Sequence, residues 1–172
     1  MPNWCKGNIR FRGALKDIRT LLEHEIRCVG TEPKSLDSVA SKPVIRIEYG
    51  ELSLLRLDER KDLLFRSFYI NGTRRNFLGD GDLITAYGTF DEDDEREVGI
   101  LLFDNFSAAW GIEAEPYVEM ANKYNVDIHI FGWECGMEFA QEIEIVNGQL
   151  EHDMEIHYDD WGWECPLPHV GG

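Results

Sequence analysis

Phe139-Ala140-Gln141-Glu142-Ile143-Glu144-Ile145-Val146-Asn147-Gly148-Gln149-Leu150-Glu151-His152-Asp153-Met154-Glu155-Ile156 is the stretch on which the fold turns. Asn-Gly accepts the positive φ that both central positions of a two-residue hairpin turn require, so residues 137–146 and 149–158 read as the arms of a β-hairpin. An ideal turn pairs Val146 with Gln149, Glu144 with Glu151, Glu142 with Asp153 and Ala140 with Glu155. Phe139, Ile143 and Ile145 then share the core face with Leu150, His152, Met154 and Ile156. The exposed face becomes a ladder of opposed carboxylates with Cβ atoms about 4.5–5.5 Å apart, each pair costing a few tenths of a kcal/mol. Folding alone favours Lys or Thr opposite Glu. Repeating the unfavourable choice makes sense if a basic surface docks there and gives each carboxylate a partner.

Asp159-Asp160 extends that surface, and Trp161-Gly162-Trp163 follows it, placing alternate indoles where one ring stays exposed as an interface anchor. The candidate partner-binding residues are therefore Glu142, Glu144, Glu151, Asp153, Glu155, Asp159, Asp160, Trp161 and Trp163.

Outward from the hairpin, Val126 to Phe131 and the apolar run Val98 to Phe103 predict strands, the second buried on both faces. Tyr117, Met120, Ala121 and Tyr124 fall on one face of a helix over about 114–124, with Pro116 tolerated in its first turn. Near the start, residues 8–13 alternate apolar and polar and stop at Gly13, which predicts a strand. Leu15, Ile18, Leu21, Leu22 and Ile26 then recur at helical spacing, predicting a helix over 15–28. Residues 30–43 read as a loop, 44–49, 52–57 and 63–70 as short strands closed by Asn71-Gly72, and 78–97 as a glycine- and acid-rich loop containing Asp91-Glu92-Asp93-Asp94-Glu95. At 172 residues this predicts one α+β domain over 1–172.

The net charge of −16 is divided along the chain. Residues 1–75 hold 15 basic and 10 acidic side chains, and residues 76–172 hold 2 and 23, the two being Arg96 and Lys123. Such an acidic half repels DNA and RNA and attracts a basic protein. No phosphate-cradling glycine loop, nucleophile elbow or H-E-x-x-H occurs. Cys5, Cys28, Cys135 and Cys165 form no C-x-x-C pair, and Cys165-Pro-Leu-Pro-His169 alone does not make a zinc site. His129 and His152 read as inward-facing, His24 as exposed. No cofactor, metal or catalytic group is expected. Neither a membrane-spanning run nor a signal peptide is legible, so the cytoplasm is the expected compartment.

Met1-Pro2-Asn3-Trp4-Cys5, then Asn8 and a strand ending at Gly13, resembles the N-terminus of the YubB ferredoxin-like family of small phage and plasmid proteins. A second block is similar to that family as well: Ala108-Ala109-Trp110, a helix, Glu134-x-Gly136-x-x-Phe139-Ala140 and Asn147-Gly148. Gly111-Ile112-Glu113 stands where the family has Ser-Pro-Pro, and residues 30–100 have no counterpart. The resemblance implies a ferredoxin-like β-α-β core with inserted strands over 30–100 and the C-terminal hairpin, and an origin in a mobile element. It implies no catalytic site.

Mobile elements gain from blocking host nucleases. The expected function is an inhibitor, encoded by a phage or plasmid, that docks its acidic half on a basic nucleic-acid-binding surface of a host CRISPR effector or restriction enzyme. The alternatives are a structural or regulatory interaction module of the element, or a metal-dependent enzyme.

Overall fold

Cys5, Ile9 and Phe11 are buried while Lys6, Arg10 and Arg12 reach solvent, the period-two pattern of a strand with one covered face. That strand, β1 (Trp4–Ala14), is the middle of the molecule. The computed structural model describes residues 3–32, 38–48, 51–57, 63–89, 94 and 96–172. β1 runs directly into α1 (Leu15–Glu25), which buries Leu15, Ile18, Leu21 and Leu22 on one face. The predicted helix over 15–28 ends early, because Ile26 turns extended and β2 (Ile26–Thr31) starts without a loop. Ile26 and Cys28 are buried in that strand, so pairing overrides the helical spacing.

Nine further strands follow: β3 (Ser38–Ser41), β4 (Val44–Glu48), β5 (Glu51–Leu55), β6 (Leu64–Ile70), β7 (Asn76–Asp80), β8 (Leu83–Thr89), β9 (Val98–Ala109), β10 (Asp127–Glu134) and β11 (Phe139–Val146). β12 (Gln149–His157) completes the sheet, α2 (Glu115–Tyr124) lies between β9 and β10, and α3 (Trp161–Glu164) follows β12. Every pairing is antiparallel, in the order β12-β11-β10-β1-β9-β7-β6-β2-β3. At β9 the sheet divides: Ala108 and Ser107 pair with β7, while Ile100 to Leu102 pair with β8, which leads to β5 and β4.

The expected ferredoxin-like α+β core is not present. Strand accounts for 57% and helix for 16% of the described residues, in one 12-stranded, mostly antiparallel sheet. β1, α1 and β2 occur in sequence order, yet β9, β7 and β6 stand between the two strands in the sheet. The segment over 30–100 is not an insertion at the margin, since its strands supply one whole flank. Two loop expectations are corrected with it: β3 lies within 30–43, and 78–97 holds the end of β7 and all of β8. Asp91 to Asp93 and Glu95 lie outside the described residues.

Ile9, Phe11, Ile128, Ile130, Ile143 and Ile145 meet across β1, β10 and β11 and form one cluster with the buried faces of both helices. Polar links fix the layers. Tyr117, wholly buried on α2, accepts from the Asn76 amide of β7 at 2.7 Å, and burial raises its phenol pKa. Glu25 at the end of α1 takes hydrogen bonds from Lys123 Nζ at 2.8 Å and Tyr124 Oη at 2.5 Å, tying the helices together. Arg56, beyond β5, has a side chain only 1% exposed. Its Nη2 donates to the carbonyls of Val29 on β2 and Ser67 on β6, clamping the two branches of the sheet.

Candidate functional site

The turn at Asn147-Gly148 forms as the sequence predicts, both residues holding positive φ, and Val146 pairs with Gln149. One step later the register departs from expectation. Ile145 pairs with Leu150, but Glu144 then pairs with His152, leaving Glu151 as the extra residue of a β-bulge. Beyond it Ile143 faces Asp153, Glu142 faces Met154, Gln141 faces Glu155 and Ala140 faces Ile156. No two carboxylates stand directly opposite, so the expected ladder is replaced by a divided edge. The bulge moves His152 and Met154 to the outer face with Glu142 and Glu144, and Asp153 and Glu155 to the face of Ile143 and Gln141.

Histidines stand beside three of the acids and are hydrogen-bonded to two of them, Glu142 and Glu155. His129 Nε2 lies 2.8 Å from Glu142 Oε1, His152 Nε2 3.5 Å from Glu144 Oε2, and His157 Nε2 2.6 Å from Glu155 Oε1. His129 and His152 thus lie on the outer face, contrary to the inward orientation expected; His24 is exposed as expected. Glu151 and Asp153 are exposed and carry no ion pair among the described residues. Asp159 donates its amide to Glu164 Oε2 at 3.0 Å, and Asp160 caps α3 by accepting from the Trp163 amide at 3.2 Å. Trp161 is buried and donates to the Pro168 carbonyl at 2.9 Å, whereas Trp163 is 87% exposed. Of the tryptophan pair, Trp163 alone has the geometry of an anchor.

β12 ends the sheet, and every residue in it except half-buried Ile156 is exposed. Its free backbone edge and the exposed Glu151 and Asp153 therefore lie at one end of the sheet, and the exposed Asp159, Asp160 and Trp163 follow it in the chain. The two cations of the second half do not neutralise it: Lys123 is held by Glu25, and Arg96 sits before β9.

The Glu134-x-Gly136-x-x-Phe139 stretch has a structural task. Glu134 is fully buried, and its carboxylate accepts from the amides of Gly136 at 2.8 Å and Met137 at 2.6 Å, closing the β10–β11 turn. A Cβ on Gly136 would stand 2.9 Å from Glu134 Oε1. Burial, and then the Glu134 charge, push the Cys5 thiol up to about 12. All four cysteines are free thiols. Among the described residues no three His, Cys, Asp or Glu side chains converge as metal ligands.

A second cluster is not legible in the sequence. Arg74 and Arg75, in the turn between β6 and β7, lie over the rings of Trp110 and Trp4, which are distant in the chain. The basic surplus of residues 1–75 is its only trace there. The chain matches no family model, no curated protein and no solved structure. Among the described residues no helix is long and apolar enough to cross a membrane.

Proposed function

We propose that the protein works by binding a basic partner protein through its acidic β12 end, and not by catalysis. The observation that carries this is the uncovered terminal strand, on which Glu151 and Asp153 find no cation among the described residues, in a half-chain with 2 basic and 23 acidic side chains. Carboxylates left without cations gain Coulomb energy from a basic surface, steer its approach and cost little to desolvate at a rim. Trp163 supplies the apolar anchor such an interface needs at its centre.

The partner of best fit is a groove built to hold nucleic acid, as in a host CRISPR effector or restriction enzyme, which the protein would inhibit by occupation in the host cytoplasm. The four free thiols accord with a reducing compartment. A panel of purified effectors and restriction enzymes tests this, each assayed for cleavage with and without the protein at two salt concentrations. Inhibition that weakens as salt rises supports the proposal. Unchanged cleavage across the panel rejects a nuclease as the target.

A further inference from the structure

The Arg75 guanidinium lies 5.6 Å from the ring centres of both Trp4 and Trp110, and that of Arg74 lies 4.9 Å above Trp110. Both arginines are exposed, and no ion pair engages either among the described residues. A guanidinium drawn to an indole face by cation–π attraction keeps N–H donors free, and its planar fork receives a phosphate through two hydrogen bonds. Beside them Phe77 packs on Trp4 at 5.9 Å, Tyr69 at 5.7 Å and Phe65 at 5.9 Å, so the patch continues as an aromatic floor.

Its two outermost rings are held at a cost. Phe65 and Trp110 have φ of 49° and 64°, a left-handed conformation that costs an aromatic residue about 1–2 kcal/mol. Burial does not offset that cost, since the two side chains are 56% and 50% exposed. Folding alone would not favour two strained aromatics presented to water on one patch.

We propose that this patch binds single-stranded nucleic acid, with phosphates on Arg74 and Arg75 and unpaired bases stacked on Trp110 and Phe65. Every base has a face to offer these rings, whereas a duplex hides its faces inside the stack. A phosphorylated peptide would satisfy the guanidinium groups and leave the rings unused. The overall charge of −16 does not forbid a polyanion here. β12 stands three strands beyond β1, about 14 Å away, and the Debye length at physiological salt is about 8 Å. The two readings rest on different residues, and neither depends on the other.

The test uses the full chain and fluorescein-labelled oligothymidylate and oligouridylate of about twelve nucleotides, beside a duplex of equal length and a phosphoserine peptide. Binding is followed by anisotropy and by quenching of tryptophan fluorescence. Single strands are expected to bind at least about tenfold more tightly than the duplex. Arg74→Ala with Arg75→Ala should weaken binding and flatten the log–log salt slope by about 1.4, near 0.7 for each lost phosphate contact. Trp110→Asn, a residue at ease in left-handed backbone, should weaken binding about tenfold and leave the slope unchanged. No binding of either oligonucleotide up to ~1 mM at roughly 50 mM salt would overturn the proposal. So would binding that both variants leave intact, or a preference for the phosphopeptide that Trp110→Asn does not alter.

Discussion

Glu144 stands opposite His152 across the β11–β12 pair, with 3.5 Å between Oε2 and Nε2, and Glu151 is passed over in the bulge. An edge that would have opposed acid to acid thus opposes acid to imidazole at the third pair from the turn. The same substitution is then expected to act differently at neighbouring positions.

Glu144→Lys sets an ammonium against His152 and removes an existing pair, so it should lower stability by about 0.3–1 kcal/mol; both side chains are partly exposed and solvent screens them. Asp153→Lys faces Ile143 and disturbs no ion pair among the described residues, so it should be neutral within about 0.5 kcal/mol. Thermal unfolding of the two variants separates this register from an ideal one, in which either change would stabilise.

Arg56 is expected to be the most sensitive charged residue in the molecule. Arg56→Ala removes the donors that span the Val29 and Ser67 carbonyls and leaves a cavity where a side chain 1% exposed had been. The cost should be about 2–4 kcal/mol, roughly 5–15 °C in Tm for a chain of this size. Lysine should restore only part of it, because one ammonium does not reproduce a planar fork. Full recovery in Arg56→Lys would show that charge, and not the fork, holds the branches.

Glu25 gives the fold an acid-sensitive joint. Burial opposes its ionisation, but the hydrogen bonds from Lys123 and Tyr124, with the Lys123 charge, outweigh it and hold the carboxyl below its usual value. A depressed folded pKa means that its stabilisation is complete above the unfolded value, about 4.3, and is lost as pH falls through the folded value. Glu25→Gln should therefore lower Tm by a few degrees at pH 7, with the gap closing as the pH falls below about 4. A gap that persists undiminished at pH 3 would assign the loss to packing.

The hairpin and both long helices are legible in the sequence because their signals are local. Asn147-Gly148 meets the φ demand of its own turn, and the spacing of Leu15, Ile18, Leu21 and Leu22 describes one helix face. The bulge at Glu151 is not local. β12 has no neighbour on its outer side to hold register, so the pairing is decided by Ala140 meeting Ile156 and Gln141 meeting Glu155 several residues away. Gln141 itself is engaged from outside the hairpin, its amide holding both the N–H and the carbonyl of Ile112. The flank of β7 and β8 is hidden for a related reason: Gly79 and Gly81-Asp82 read as loop, yet they bend a paired chain. Gly79, at φ 115°, lets the backbone pass Asn105 and Ile84 where a Cβ would stand 3.0 Å from the isoleucine. The Arg75 bracket joins Trp4 to Trp110 across β1 and β9, a relation that exists only once the sheet is built.

The acidic end offers the last and most direct expectation. Glu151 and Asp153 are exposed, lack ion pairs among the described residues and lie on a strand that ends the sheet. Glu151→Lys with Asp153→Lys should leave the unfolding free energy within about 1 kcal/mol of the parent, because neither carboxylate contributes to folding through a cation. The same pair of changes should weaken binding to a basic protein by tenfold or more at low salt, since two attractive contacts become repulsive ones worth about 0.5–1 kcal/mol each way. Trp163→Ala should weaken the same complex without changing its dependence on salt, because an indole anchors by burial and not by charge. Glu142→Gln is the control, as its carboxylate is engaged by His129 at 2.8 Å; it should affect stability more than binding. The measurements are melting temperature and affinity for one basic nuclease, each at two ionic strengths. A Glu151→Lys, Asp153→Lys double variant that melts like the parent and binds equally well at low salt would remove this edge from the mechanism, and the acidity of the second half would then serve solubility alone.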